Sequence, residues 1–188
     1  MYPAGVTGVS VRRVTLPGGL AIRVLESGPV GARIVALVHG WGASVYSFSE
    51  MIPALTSAGY RVLAMDLPGH GLSDKPRHPP SYAVRALADV VLSTLATVQG
   101  DRFALGAHSM GGAVALDIAT RVGVSQVERL ALISPVGLGL VPLASVLRVV
   151  TPVFTASLIP RLLTRRAMKL VLMVAFGTRS RPVERDVD

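Results

Sequence analysis

Ala107-His108-Ser109-Met110-Gly111-Gly112 is the stretch whose reading decides the fold. An apolar run from Arg102 to Gly106 leads into it, and a helical run of small residues from Ala113 to Ala119 leads out. That is a strand, a sharp turn and a helix with a serine at the apex, the context of the G-x-S-x-G turn. Small residues must flank such a serine, because strand and helix come so close that a larger side chain would clash. Ala107, the smallest side chain after glycine, stands at the place of the first glycine. The helix N-terminus brings backbone N–H groups to Ser109, where they can stabilise developing negative charge. An isolated match also fits a plain glycine-rich turn, so the rest of the chain has to decide.

Two further segments precede it in the right order. Ile34 to Val38 is an apolar run of buried-strand type, followed by His39-Gly40-Trp41-Gly42. Val62 to Met65 is another, running into Asp66-Leu67-Pro68-Gly69-His70-Gly71-Leu72-Ser73. Upstream, Val9 to Leu16 and Leu20 to Glu26 alternate as strands, and Pro17-Gly18-Gly19 supplies the turn of a hairpin. The pattern predicts a helix over 44–57, with Ser44 as N-cap and Gly59 just past its end. A second helix is expected from an N-cap at Ser81 to Gly100, then one ending at Val122 and a strand from Arg129 to Ser134. Val84, Leu87, Val91, Leu95 and Val98 recur at helical spacing along one face. Strands alternating with helices predict the α/β class, a mostly parallel sheet with helices on both faces. Ligands bind at the carboxyl ends of such strands, where all three motifs lie.

Together, His39-Gly40-Trp41-Gly42, the D-x-P-G-H-G-x-S of residues 66–73 and the Ala107–Gly112 turn resemble the α/β-hydrolase superfamily. The resemblance implies the α/β-hydrolase fold, with Ser109 as a nucleophile that forms an acyl-enzyme. It implies an oxyanion hole from the backbone N–H groups of Trp41 and Met110. Gly40 and Gly42 would let the first loop turn tightly, and His39 would be a structural hydrogen-bonder there. Ala107, His108, Gly111 and Gly112 would support the nucleophile elbow. Asp66 would brace the loop that follows it. His70 would have a structural role in its loop, His78 would be solvated, and Asp117 would be structural. Trp41 either lines the pocket or covers the sheet edge. Neither a metal nor an organic cofactor is implied. The serine argues against the dehalogenase branch, which carries an aspartate at that place; branches that cleave C–C bonds, make peracids or open lactones keep the serine.

Length and composition set the frame. At 188 residues, one domain is the prior, and 51% hydrophobic residues give ample core. With no cysteine there is neither a disulfide nor a thiolate metal site, and the redox compartment stays open. Met1 to Ser10 lacks a basic start followed by an apolar run, so no signal peptide is expected. The net charge is +8, yet residues 141–176 hold Arg148, Arg161, Arg165, Arg166 and Lys169 without any Asp or Glu, in an otherwise apolar segment. That distribution argues against nucleic acid as a partner. It fits either arginines solvating the outer face of packed helices, or a segment that covers an apolar pocket or touches a lipid surface. Pro142, Pro152 and Pro160 break it, so no membrane span is expected. By resemblance, residues 1–135 form the hydrolase core, 136–176 a helical cap and 177–188 a loop or frayed tail. The expected location is the cytoplasm, with membrane association through 141–176 as the alternative.

Hydrolases of this fold order their triad as serine, then Asp or Glu, then histidine. No histidine follows His108, and none of Asp117, Glu128, Glu184, Asp186 or Asp188 follows an apolar strand in the required way. The chain is therefore expected to be truncated at its C-terminus, without the acid and histidine. The leading expectation is a serine hydrolase of an apolar ester or related acyl compound, inactive as these 188 residues alone. The alternative is a catalytically inactive, hydrolase-like module that binds an apolar ligand or a lipid surface.

Overall fold

Leu16 and Leu20 close the first turn, the Leu16 N–H donating to the Leu20 carbonyl at 2.8 Å, and so set the register of the hairpin β1 (Val9–Thr15) and β2 (Ala21–Ser27). The computed structural model describes residue 3 and residues 7–98 and 101–136. The expected cap and tail (residues 137–188), the basic segment within them, and Gly100 lie outside the described residues.

Four more strands follow: β3 (Ile34–Val38), β4 (Arg61–Met65), β5 (Phe103–His108) and β6 (Val127–Ile133). The sheet order is β1-β2-β4-β3-β5-β6. The β1/β2 and β2/β4 pairs are antiparallel, and the β4/β3, β3/β5 and β5/β6 pairs are parallel. Val38 lies opposite both Met65 and Ala107, and Ala107 opposite Leu132. The parallel strands thus end in one row, and His39, Asp66, His108 and Ile133 form the next.

Period-two alternation divides the strand residues between two cores. Ala36, Val38, Leu63, Met65, Leu105 and Ala107 face helices α2 (Val84–Ala96) and α3 (Met110–Gln126). Val35, Leu37, Val62 and Ala64 face a 3-10 helix (Val45–Phe48) and α1 (Met51–Ser57) through Val45, Phe48 and Ile52. The fold is the expected one: a mostly parallel sheet with helices on both faces.

Several boundaries differ from the sequence pattern. The helix expected over 44–57 is two pieces. A helix running through Pro53 would drive the proline ring into the Ser49 carbonyl four residues back. Ser44 caps the 3-10 piece instead, its Oγ accepting from the Tyr46 N–H at 3.2 Å. Ser81 caps nothing. Pro79-Pro80 open a 3-10 turn of their own (Pro79–Tyr82), and the Ser81 N–H bonds to the His78 carbonyl within it. Helix α2 then starts after Ala83 without a side-chain cap. Helix α3 is broken at Gly123, whose φ of 59° and ψ of −162° are open to glycine. Strand β6 starts two residues earlier than the pattern suggests.

Candidate active site

Ser109 sits between the end of β5 and the start of α3 with φ 52° and ψ −119°, a backbone conformation that non-glycine residues seldom adopt. Holding it costs on the order of 1–3 kcal/mol, so the surroundings must over-determine it. They do so through the backbone. The Ser109 N–H donates to the Ile133 carbonyl at 3.0 Å, and its carbonyl accepts from the N–H groups of Gly112 and Val136, each at 2.9 Å. The end of β6 therefore clamps the turn from below.

Packing explains the small residues. A Cβ on Gly111 would lie 2.6 Å from the His39 carbonyl oxygen, and one on Gly112 would lie 2.5 Å from the Pro135 Cβ. One on Gly40 would come within 2.9 Å of the Ser109 Cβ. Ala107 is fully buried. The turn after β3 thus lies directly against the serine turn, which brings Gly40, His39, Ser109 and Gly111 together. Trp41 is 63% exposed, and Met110 is half-buried against the core. Among the described residues, neither the Trp41 nor the Met110 N–H has a protein acceptor. Gly42, at φ 68°, has open space around it.

His39 is fully buried and both its ring nitrogens are engaged. Nε2 accepts from the Leu67 N–H at 3.0 Å, so Nδ1 carries the proton and donates to the Gly40 carbonyl at 2.7 Å. Burial pushes its pKa down to about 4, against the smaller upward pull of the Gly40 carbonyl. Both ring nitrogens are thus taken up by loop backbone. His70 donates from Nδ1 to the Pro68 carbonyl at 2.9 Å, and its ring centroid lies 5.1 Å from that of His39. His78 is exposed at the start of its 3-10 turn. His108 is half-buried, and among the described residues its buried Nδ1 has no partner. Ser109 Oγ likewise has no hydrogen-bond partner among the described residues. Asp117 pairs with Arg85 and Arg121 on the helix surface.

Asp66 holds the loops together. Its Oδ1 accepts from the Val45 N–H at 2.8 Å and its Oδ2 from the Leu72 N–H at 2.9 Å, while the Arg23 guanidinium approaches Oδ2 at 3.2 Å. Ser73 Oγ donates to the Asp66 carbonyl and accepts from the Arg23 N–H. Asp66 therefore braces the turn after β3 as well as its own loop. Arg23 and the Pro135-Val136 support escape a reading of the sequence. The one available signal is a charged residue flanked by buried Ile22 and Val24 in β2. Among the described residues no group of three or more His, Asp or Glu side chains could hold a metal ion, and no helix is long and apolar enough to cross a membrane.

A family model described as the alpha/beta hydrolase fold matches residues 33–155, taking in all three motifs. The chain belongs to this family. It is 36% identical over 107 residues to epoxide hydrolase A of Mycobacterium tuberculosis, a match covering 57% of this chain and 33% of that protein. It is 37% identical over 97 residues to a haloalkane dehalogenase of Psychrobacter cryohalolentis, covering 52% of this chain and 32% of that one. Among solved structures, a bacterial membrane phospholipase A superposes with a TM-score of 0.66 at 36% identity, over 70% of this chain and 41% of its own. The matches thus span about a third of the length of these two curated relatives.

Proposed function

We propose that this chain carries the nucleophile and oxyanion half of an α/β-hydrolase that cleaves an apolar ester or related acyl compound through an acyl-enzyme. The observation that carries this reading is the geometry of Ser109, a serine at φ 52° on a turn where Gly40, Gly111 and Gly112 clear the space around it. Such strain in a structure is a pointer to function. Ser109 Oγ would attack the acyl carbon, its proton passing to a base, and the carbonyl oxygen would gain negative charge. The N–H groups of Trp41 and Met110 would receive that charge. The relatives named as an epoxide hydrolase and a haloalkane dehalogenase support hydrolysis in general. The name of the solved phospholipase A fits a serine acting on an acyl group. The serine argues against the dehalogenase branch.

No histidine is seen poised beside Ser109 among the described residues. His39 has both nitrogens committed, and the chain has no histidine beyond His108. That observation favours a second reading, a hydrolase-like module that binds an apolar ligand without turning it over. A fluorophosphonate probe separates the two. Covalent labelling at Ser109, lost in Ser109→Ala, supports an activated nucleophile; a Ser109 that stays unlabelled in every form of the protein supports the binding module.

A further inference from the structure

Asp66 ties Val45 to Leu72, and beside it the His39 ring bonds the turn after β3 to the Leu67 N–H in the loop after β4, which it can do in one protonation state only. Its Nδ1–H donates to the Gly40 carbonyl and its bare Nε2 accepts from the Leu67 N–H. An imidazolium has an N–H on both nitrogens. Protonation at Nε2 would set two buried donors face to face, at a residue and a partner that are each fully shielded from water. Left unmatched, such a buried donor costs about 1–3 kcal/mol.

We infer that His39 is an acid-sensitive latch, which holds the His39–Gly42 turn against the Leu67–Ser73 loop while its ring is neutral and releases it when the ring is protonated. The groups facing the ring shape the response. Asp66, at the head of the loop after β4, favours the protonated ring, and Arg23 on β2 offsets that pull by pairing with the same carboxylate. His70 in that loop and His108 at the end of β5 oppose it when charged. Burial opposes it most, so the latch holds at neutral pH and yields well into the acid range. The turn it releases bears Gly40, in contact distance of Ser109, and Trp41. The latch follows from the ring's bonding alone and does not depend on Ser109 being a nucleophile.

Amide hydrogen exchange at Leu67 in the 188-residue chain tests it. Between pH 6.5 and 4, after correction for intrinsic chemistry, the Leu67 opening constant rises by roughly tenfold per pH unit, the signature of one proton. Amides at the centre of β3 do not follow it. Trp41, the chain's single tryptophan, reports the same reversible step in its fluorescence. In His39→Gln both responses vanish, and in His70→Gln both persist. If that first variant fails to fold, 15N spectra of the wild-type imidazole decide: Nδ1-protonated at pH 7, and doubly protonated only near pH 4, where the rise in Leu67 opening levels off. Leu67 exchange that stays flat down to pH 4, or tracks the ionisation of His70 or His108, overturns the latch.

Discussion

At the scale of single residues, Asp66 and His39 tie together the loops after β3 and β4. Asp66 is fully buried and accepts from two backbone N–H groups and one guanidinium. Replacing it with Ala is expected to cost about 3–5 kcal/mol, because a buried charged partner loses its carboxylate. Urea denaturation of Asp66→Ala, read against the wild type, measures this. His39 gives stability a pH dependence of definite sign. Its folded pKa of about 4 lies below its ordinary value of 6.5, so unfolding takes up a proton between the two. Its contribution is present in full above pH 6.5 and is lost as pH falls toward 4, by up to about 3 kcal/mol. Urea midpoints at pH 7 and pH 4.5, for the wild type and His39→Gln, show whether the loss belongs to this ring. Ser109→Ala removes one oxygen from a site already built of small side chains. In any form of the protein that turns over a p-nitrophenyl ester, this change should lower kcat by a factor on the order of 10⁴–10⁶ with the fold intact. Retained turnover would remove Ser109 from the mechanism.

At the scale of elements, the turn between β5 and α3 is fixed by closeness. Gly111→Ala puts a methyl group against the carbonyls at the end of β3, and a loss of about 1–3 kcal/mol is expected. Gly42→Ala meets no atom within 4 Å, so steric contact adds nothing there and only its backbone strain remains. Comparing the two variants by denaturation separates packing from backbone preference. This region was legible in the sequence because its constraint is local: a small-residue turn between an apolar run and a helical one. Strand β4 was legible for the same reason, and its observed limits, Arg61–Met65, extend the apolar run Val62 to Met65 by one residue. Helix starts were less so, because Pro53 and the Pro79-Pro80 pair redirect the chain through 3-10 turns that periodicity does not register. The partners that brace the site lie far along the chain. Arg23 meets Asp66 from another strand, and Val136 clamps Ser109 from beyond β6. No spacing rule encodes such meetings.

At the scale of the whole molecule, the sheet is covered unevenly among the described residues. Helices α2 and α3 cover one face, whereas on the other face α1 leaves a groove of about 540 Å³ beside β5 and β6, lined by Val35, Leu37, Met51, Leu55, Ala104 and Leu130. Strand β6 is one of the two edge strands of the described sheet, with Leu130 and Ile133 more than a third exposed. An apolar, unpaired edge invites association. The 188 residues made alone are therefore expected to be poorly soluble, with esterase turnover no higher than a Ser109→Ala control. Light scattering and an ester assay on the purified chain check both. A monodisperse, Ser109-dependent catalyst would mean that one of the four histidines serves as base after all.

Sheet order also governs how such a chain can emerge from a ribosome. Strand β3 is third in sequence but lies between β4 and β5, both made later. When Val38 appears, only the β1–β2 hairpin can already be paired, and that hairpin docks on β4, not on β3. The centre of the sheet stays without neighbours until Arg61–Met65 is out, and its second side stays open until Ala107 is out. The residues around Ser109 thus find their partners only once β6 is out. Synthesis that pauses between β3 and β5 leaves the five-residue apolar strand Ile34–Val38 incompletely paired, and closing its contacts over so long a loop is slow.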